Sequence, residues 1–256
     1  MQKRFLFILL SSTMLLFQNC KKDNHTDVTP HTEDAHWNYE HPESWGGSST
    51  DCDGVIQSPI DILTALTLKS NLPDLIFSYK NFPINIVDNG HTIQVNTKDY
   101  YIDNTVTYNS KTYMLKQFHF HAHSEHTIDG KSAPMEMHLV HANASGEILV
   151  VGLMIEEGLT ANTLIDKVWL NFPGDTEKEH ETTSIININD VIPAAKGYYN
   201  YIGSLTTPPC SMGLQWIVMK ETLKLSATQI NQFRAKYDHN YRPVQKLNNR
   251  VVYEKI

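Results

Sequence analysis

Lys116-Gln117-Phe118-His119-Phe120-His121-Ala122-His123-Ser124-Glu125-His126 alternates polar and aromatic residues with a period of two. That period marks a half-buried β-strand. Gln117, His119 and His121 share one face, joined by His123 if the strand stays regular that far. Phe118 and Phe120 point the other way, into a core. Two imidazoles two residues apart can grip one metal ion. The best source of a third ligand is His138, in Met135-Glu136-Met137-His138-Leu139-Val140-His141. This second run also alternates and sets Glu136 beside His138 on a common face. Three His ligands leave the fourth tetrahedral position open to water, as in a catalytic rather than a structural zinc site.

Around these two strands the chain reads as mainly β. Leu75–Tyr79, Ile84–Val87 and Thr92–Val95 are short strand candidates, and Asp88-Asn89-Gly90-His91 is a turn between two of them. Tyr100–Tyr108 is rich in β-formers. Ile148–Ile155 is continuously apolar, as a strand buried on both faces must be. Tyr198–Ile202 and Gln215–Met219 are further strands. Asn162–Leu170 has helical spacing, and Ser226-Ala227-Thr228-Gln229 is a capping box opening a helix to about Lys236. The sum is one large, mostly antiparallel sheet with short helices at its edges.

The chain has 256 residues, 41% of them hydrophobic and 19% charged, enough for one large domain. A net charge of −7 and the lack of any Lys/Arg-rich run exclude a nucleic-acid surface. The N-terminus carries Lys3 and Arg4, then an apolar stretch from Phe5 to Phe17 too short to span a bilayer comfortably. It stops at Phe17-Gln18-Asn19-Cys20, which resembles a bacterial lipoprotein signal with Cys20 as the lipidated mature N-terminus. Phe17 and Asn19 depart from the Leu and small residue preferred there. An ordinary exported protein, cut nearby with Cys20 lost or free, is the alternative. The expected organisation is a signal peptide over 1–19, a polar tether over 20–33 and a catalytic domain over 34–256. The expected location is the periplasm or cell envelope, attached to the membrane through Cys20. Export permits disulfides, and setting Cys20 aside leaves Cys52 and Cys210 as the one pair. Nothing in the sequence sets the oligomeric state.

From about His36 to Arg250 the chain resembles the α-class carbonic anhydrases. The motifs are Gln57-Ser58-Pro59-Ile60-Asp61, Asn89-Gly90-His91, Gln117 to His121, Ser124-Glu125-His126, Met135 to His141, Ser204-Leu205-Thr206-Thr207-Pro208-Pro209-Cys210 and Asn240-Tyr241-Arg242-Pro243. The short gap between the His-bearing strands and the positions of Cys52 and Cys210 look like the bacterial branch. The resemblance implies an α+β, mainly β fold with a large twisted central sheet and short peripheral helices. It implies Zn2+ held by His119, His121 and His138. Gln117, Glu136 and the Asn240 backbone would fix the outer nitrogens of those rings. Thr206 would orient the attacking oxygen and pass its own proton to Glu125. Val140, Val150, Leu205, Leu214 and Trp216 would form an apolar pocket for carbon dioxide, with Gln94 and Thr207 on its polar side and Tyr39 ordering water. His91 would shuttle protons at the cavity rim. The implied reaction is the reversible hydration of carbon dioxide to bicarbonate and a proton.

One position departs from the pattern: His123 stands where proline or tryptophan is expected, and the strand is expected to end before it. Two other functions fit parts of the sequence. His119-x-His121-x-x-x-Glu125 also matches the metal motif of cupin barrels, with Glu125 as a ligand of iron or manganese. The glycines of that pattern are missing, since Tyr113 stands at one position and no Pro-x-Gly follows Pro134. A non-catalytic carbonic-anhydrase-like surface domain is the other alternative, but such domains typically lack a zinc histidine and here all three stand.

Overall fold

Alternation along Lys111–His121 divides the molecule into two sides. Phe118 and Phe120 are fully buried on one side, while His119 and His121 face the other. In the computed structural model, which describes residues 37–256, this strand lies centrally in a 13-stranded sheet. From one edge the order runs His180–Ile186, Phe82–Asp88, Ile93–Asn96, Lys111–His121, Met135–Ala142 and Ile148–Gly158. It continues through Met212–Met219, Tyr198–Ser204 and Tyr253–Lys255 to Leu68–Ser70 at the other edge. The sheet is mixed: Ile148–Gly158 runs parallel to both Met212–Met219 and Leu223–Ser226, and Tyr253–Lys255 runs parallel to Leu68–Ser70. Most other pairings are antiparallel. The segments expected to be a signal peptide and a tether, Cys20 among them, lie outside the described residues.

The strand and helix expectations hold with small shifts at their ends. Asn162 stands just outside the helix Thr163–Trp169 and accepts from the Leu164 and Ile165 N–H groups. The Ser226–Gln229 capping box is complete, and its helix runs Ala227–Arg234, slightly shorter than expected. Both helices pack on the Phe118/Phe120 side, where Trp169 and Phe233 meet Phe120. A second apolar cluster, with Ile60, Val150, Leu214 and Trp216, occupies a different part of the molecule. The strands His180–Ile186 and Leu68–Ser70 at the two edges, and Tyr253–Lys255 next to the second, were not foreseen. They are short or partly exposed, so they carry little of the burial pattern that marks a strand in sequence.

Cys52 and Cys210 are joined by a disulfide across 158 residues. The bridge packs with the buried Trp45, against which Trp37 and Tyr39 lie. It therefore pins the N-terminal aromatic arm to the Thr206–Cys210 turn. In the chain-entropy treatment a loop this long is worth about 5 kcal/mol, an upper figure. Replacing both cysteines by serine is expected to lower the denaturant midpoint in proportion, with reductant reproducing the shift in the parent protein. An unchanged midpoint would show that the bridge does not constrain the unfolded chain.

Candidate functional site: a three-histidine cluster

His119 and His138 sit directly opposite each other on neighbouring antiparallel strands, and His121 follows two residues along. The ligand atoms of these three side chains lie within 4.8 Å of one another. Each ring spends its other nitrogen on an acceptor. His119 Nδ1 donates to Gln117 Oε1 at 2.7 Å, His121 Nδ1 to the Asn240 carbonyl at 2.7 Å, and His138 Nε2 to Glu136 Oε1 at 2.9 Å. These bonds set the tautomers. Three lone pairs, on His119 Nε2, His121 Nε2 and His138 Nδ1, are left for a common centre. His121 Nε2 is buried with no hydrogen-bond partner, a costly condition unless a cation completes it. The donor set and this orphaned nitrogen fit a tetrahedral zinc with one open position.

Burial keeps the rings neutral. It lowers the His119 pKa well below the ordinary imidazole value, helped by repulsion from His121 and His138. Burial pushes His121 down to about 3 and lowers His138 as well. Neutral imidazole is the form that binds metal.

Glu136 does more than its sequence position suggested. Its Oε1 accepts from His138 Nε2 and from His126 Nδ1, the latter at 2.8 Å. Its Oε2 accepts from the backbone N–H groups of Glu125 and His126, at 2.9 and 2.8 Å. Burial alone would raise its pKa, but the pull of His126 and His138 outweighs burial and holds the carboxyl well below the usual range. One carboxylate thus orients the His138 ring and also places Glu125. His126 Nε2 in turn accepts from the Tyr201 hydroxyl at 2.6 Å, and Tyr201 pairs with Ser58 at 2.8 Å. This buried chain was legible only as separate motifs. Gly152 lies across from His138, and a Cβ there would come 2.9 Å from Glu136 Oε1. The glycine inside the apolar run makes room for that carboxylate.

Glu125 is 1% exposed, and its Oε1 accepts from the Arg242 N–H at 2.8 Å. Its Oε2 has no fully formed hydrogen bond and lies 3.4 Å from His121 Nε2. Burial raises its pKa well above the usual carboxylate value, against the lowering pull of the Thr206 hydroxyl and the Arg242 N–H. Arg242 is also buried and ties the Gln57 side chain, the Ser58 carbonyl and the Cys52 carbonyl together. Sequence reading named its motif but not this task.

A small cavity of about 80 Å³ is lined by Trp37, Tyr39, Asn89, His91, Gln94, Gln117, His119, His121 and Thr207. Burial, then the nearby Glu125 charge, raises the Tyr39 pKa, so its hydroxyl stays protonated. His91 stacks on Trp37 with ring centroids 3.7 Å apart. Val150, Leu214 and Trp216 form one cluster with Val140 and Leu205 against it, and Trp216 meets His138 edge to face at 4.9 Å. Of the side chains expected around the histidines, Tyr39, His91, Gln94 and Thr207 line this cavity and Trp216 meets His138. His123 is not among them. The strand ends at His121, and the His123 ring lies near His239 and Tyr241.

The model of the eukaryotic-type carbonic anhydrase family matches residues 40–256. The chain belongs to that family. It is 43% identical over 228 residues to the carbonic anhydrase of Klebsiella pneumoniae, covering 86% of this chain and 91% of that one. Among solved structures it resembles the α-carbonic anhydrase of Thermovibrio ammonificans in complex with the inhibitor sulfanilamide. That match has a TM-score of 0.80 and 41% identity, covering 85% of this chain and 98% of that one. The Photobacterium profundum α-carbonic anhydrase gives 0.79 and 40%, with 85% and 100% covered. This carbonic anhydrase has an open sheet with two edges, so the cupin-barrel alternative falls. Its histidine cluster takes His138 as third member and not Glu125.

The buried rings make acid sensitivity a direct expectation. His119, His121, His138 and His141 all have lowered pKa values, His141 by burial to about 4. The unfolded chain binds protons on them near pH 6.5, whereas the folded chain resists doing so. Stability of the metal-free protein should therefore fall as pH drops from about 7 to about 5, by about 1.4 kcal/mol per pH unit for each unmatched proton. Glu125, raised, contributes with the opposite sign, but as one group against four. Denaturant titrations across this range test the sign; stability that is flat or rises on acidification would contradict it.

Proposed function

We propose that this carbonic anhydrase catalyses the zinc-dependent, reversible hydration of carbon dioxide to bicarbonate and a proton. The observation that carries the reading is the set of three neutral imidazoles, with His121 Nε2 buried and unpartnered at their centre. His119, His121 and His138 would hold the ion. Zinc supplies a nucleophile at neutral pH by lowering the pKa of a bound water from about 16 to about 7, a figure for which carbonic anhydrases are themselves the standard case. Thr206 would accept a hydrogen bond from the attacking oxygen while donating its own proton to Glu125. A hydroxyl can do both, and an ionised carboxylate behind it can only accept. This pairing aims a lone pair of the attacking oxygen at the substrate carbon. Carbon dioxide is small and apolar, and the cluster of Val140, Val150, Leu205, Leu214 and Trp216 supplies an apolar wall next to His138. Gln94 and Thr207 line the polar side.

Each hydration leaves a proton to be removed. An acid of pKa near 7 loses it to water at only about 10^3 per second, given recombination near a diffusion limit of about 10^10 per molar per second. A faster cycle needs a relay, and an imidazole near neutrality both takes and gives protons. His91, on the cavity wall, is assigned that task.

Purified protein is expected to contain one zinc per chain and to hydrate carbon dioxide in a stopped-flow assay. His121→Ala should lose both metal and activity, because two imidazoles bind too weakly. Full zinc retention in the variant would refute the ligand assignment.

The same reading places the protein outside the cytoplasm, with residues 1–19 as signal and lipidated Cys20 as anchor, and it rests on the sequence of that segment alone. Cys20→Ser should move the protein from the membrane fraction to the soluble exported fraction with activity intact. Unchanged partition would refute the anchor.

A further inference from the structure

Beyond the histidine cluster, a line of side-chain amides runs along the strand Ile93–Asn96, from the turn that follows Asp88 to an exposed carboxylate just before the strand His180–Ile186. Glu179 accepts from Asn85 Nδ2 at 3.0 Å through Oε2, and from Asn96 Nδ2 through Oε1. Asn96 Oδ1 accepts from Gln94 Nε2 at 2.7 Å. Gln94 Oε1 faces Asn89 Nδ2 at 3.4 Å. Asn89 Oδ1 then accepts the backbone N–H groups of His91 and Thr92, at 3.0 and 2.9 Å.

The direction of this line follows from its end. A side-chain amide turned through 180° fills nearly the same space, so its neighbours decide which way it points. A carboxylate only accepts. Asn96 must therefore show Glu179 its NH2 and turn its oxygen to Gln94. Gln94 must give its NH2 to that oxygen and turn its own oxygen toward Asn89. Asn89 is left with its oxygen toward the His91 turn, where two N–H groups need an acceptor. Every amide thus points the same way, from the acceptor at Glu179 to the donors at His91 and Thr92. Reversing any one would set oxygen against oxygen or N–H against N–H.

We propose that Glu179 is a positioning residue for His91, acting through the oriented amides of Asn96, Gln94 and Asn89. The inference rests on the reading of His91 as the proton relay. The turn has independent anchors. Gly90, with φ +79°, donates its N–H to Asp88 Oδ1 at 3.1 Å, and Asp88 is paired with Lys236 at 2.8 Å. The His91 ring also stacks on Trp37. Losing Glu179 would thus loosen the His91 backbone without dismantling the turn.

The test compares Glu179→Gln, Asn96→Ala and His91→Ala. Glutamine offers one acceptor oxygen where Asn85 and Asn96 now use two, so one amide must lose its partner or reverse. In dilute buffer Glu179→Gln and Asn96→Ala should each lower kcat by about three- to tenfold, the worth of about one hydrogen bond. Both should leave kcat/KM for carbon dioxide unchanged, because proton release follows the steps that kcat/KM reports. Added imidazole should restore the loss. In metal-free protein the His91 and Thr92 amides should exchange hydrogen faster in both variants, with the Lys111–His121 strand unchanged. If His91→Ala shows the split and rescue but Glu179→Gln alters neither kcat nor His91 exchange, the inference is overturned and the relay stands. If His91→Ala leaves kcat alone, the relay reading fails and takes the inference with it. A Glu179→Gln variant that loses kcat and kcat/KM together, without imidazole rescue, also overturns the proposal.

Discussion

Three hydrogen bonds from imidazole to fixed acceptors govern the rest of this molecule. Gln117, Glu136 and the Asn240 carbonyl each accept a hydrogen bond from a ring nitrogen, of half-buried His119, buried His138 and buried His121 respectively. A neutral imidazole has one donor and one acceptor nitrogen, so spending the donor outward turns the lone pair inward. Without these partners the rings would be free to flip, and convergence of lone pairs would be accidental. Outer partners of this kind raise ligand basicity and hold ring orientation.

The sheet supplies the distances. His119 faces His138 in antiparallel register, and a slip of one residue in either strand would turn that strand's ring to the core face. That register is held by burial on the far side, where Phe118, Phe120, Met137 and Leu139 are all fully buried. The apolar face therefore sets the geometry of the polar one. Glu136 carries the constraint outward. By binding the N–H groups of Glu125 and His126 it ties the loop after the strand bearing His119 and His121 to the strand bearing His138. Burial is what gives these contacts their weight, since a polar group lost in so dry a region leaves its partner unsatisfied.

Much of this was legible in the chain because it follows a period. Alternation at 117–121 and 135–141 placed both histidine-bearing strands and their inward residues, and the apolar run from Ile148 marked the buried strand beside them. The helices were legible through helical spacing over Asn162–Leu170 and through the capping box at Ser226. What could not be read was contact between distant segments with no periodic trace. Tyr201 on His126, Arg242 on Gln57, and Glu179 on Asn96 are joined only by folding. The fate of His123 was an open point of another kind. Its spacing allowed the metal-facing side, and only the end of the strand at His121 removed it. The short strands at and next to the sheet edges were missed because partial exposure leaves no strong hydrophobic signal.

The central claim is that the three-histidine cluster holds a single catalytic zinc. Titrating zinc into metal-free protein at about pH 8, with carbon dioxide hydration followed by stopped flow, tests it most directly. The account predicts a rate that climbs linearly and breaks at one equivalent per chain. A rate that does not respond to zinc, or that breaks at a different stoichiometry, would contradict it.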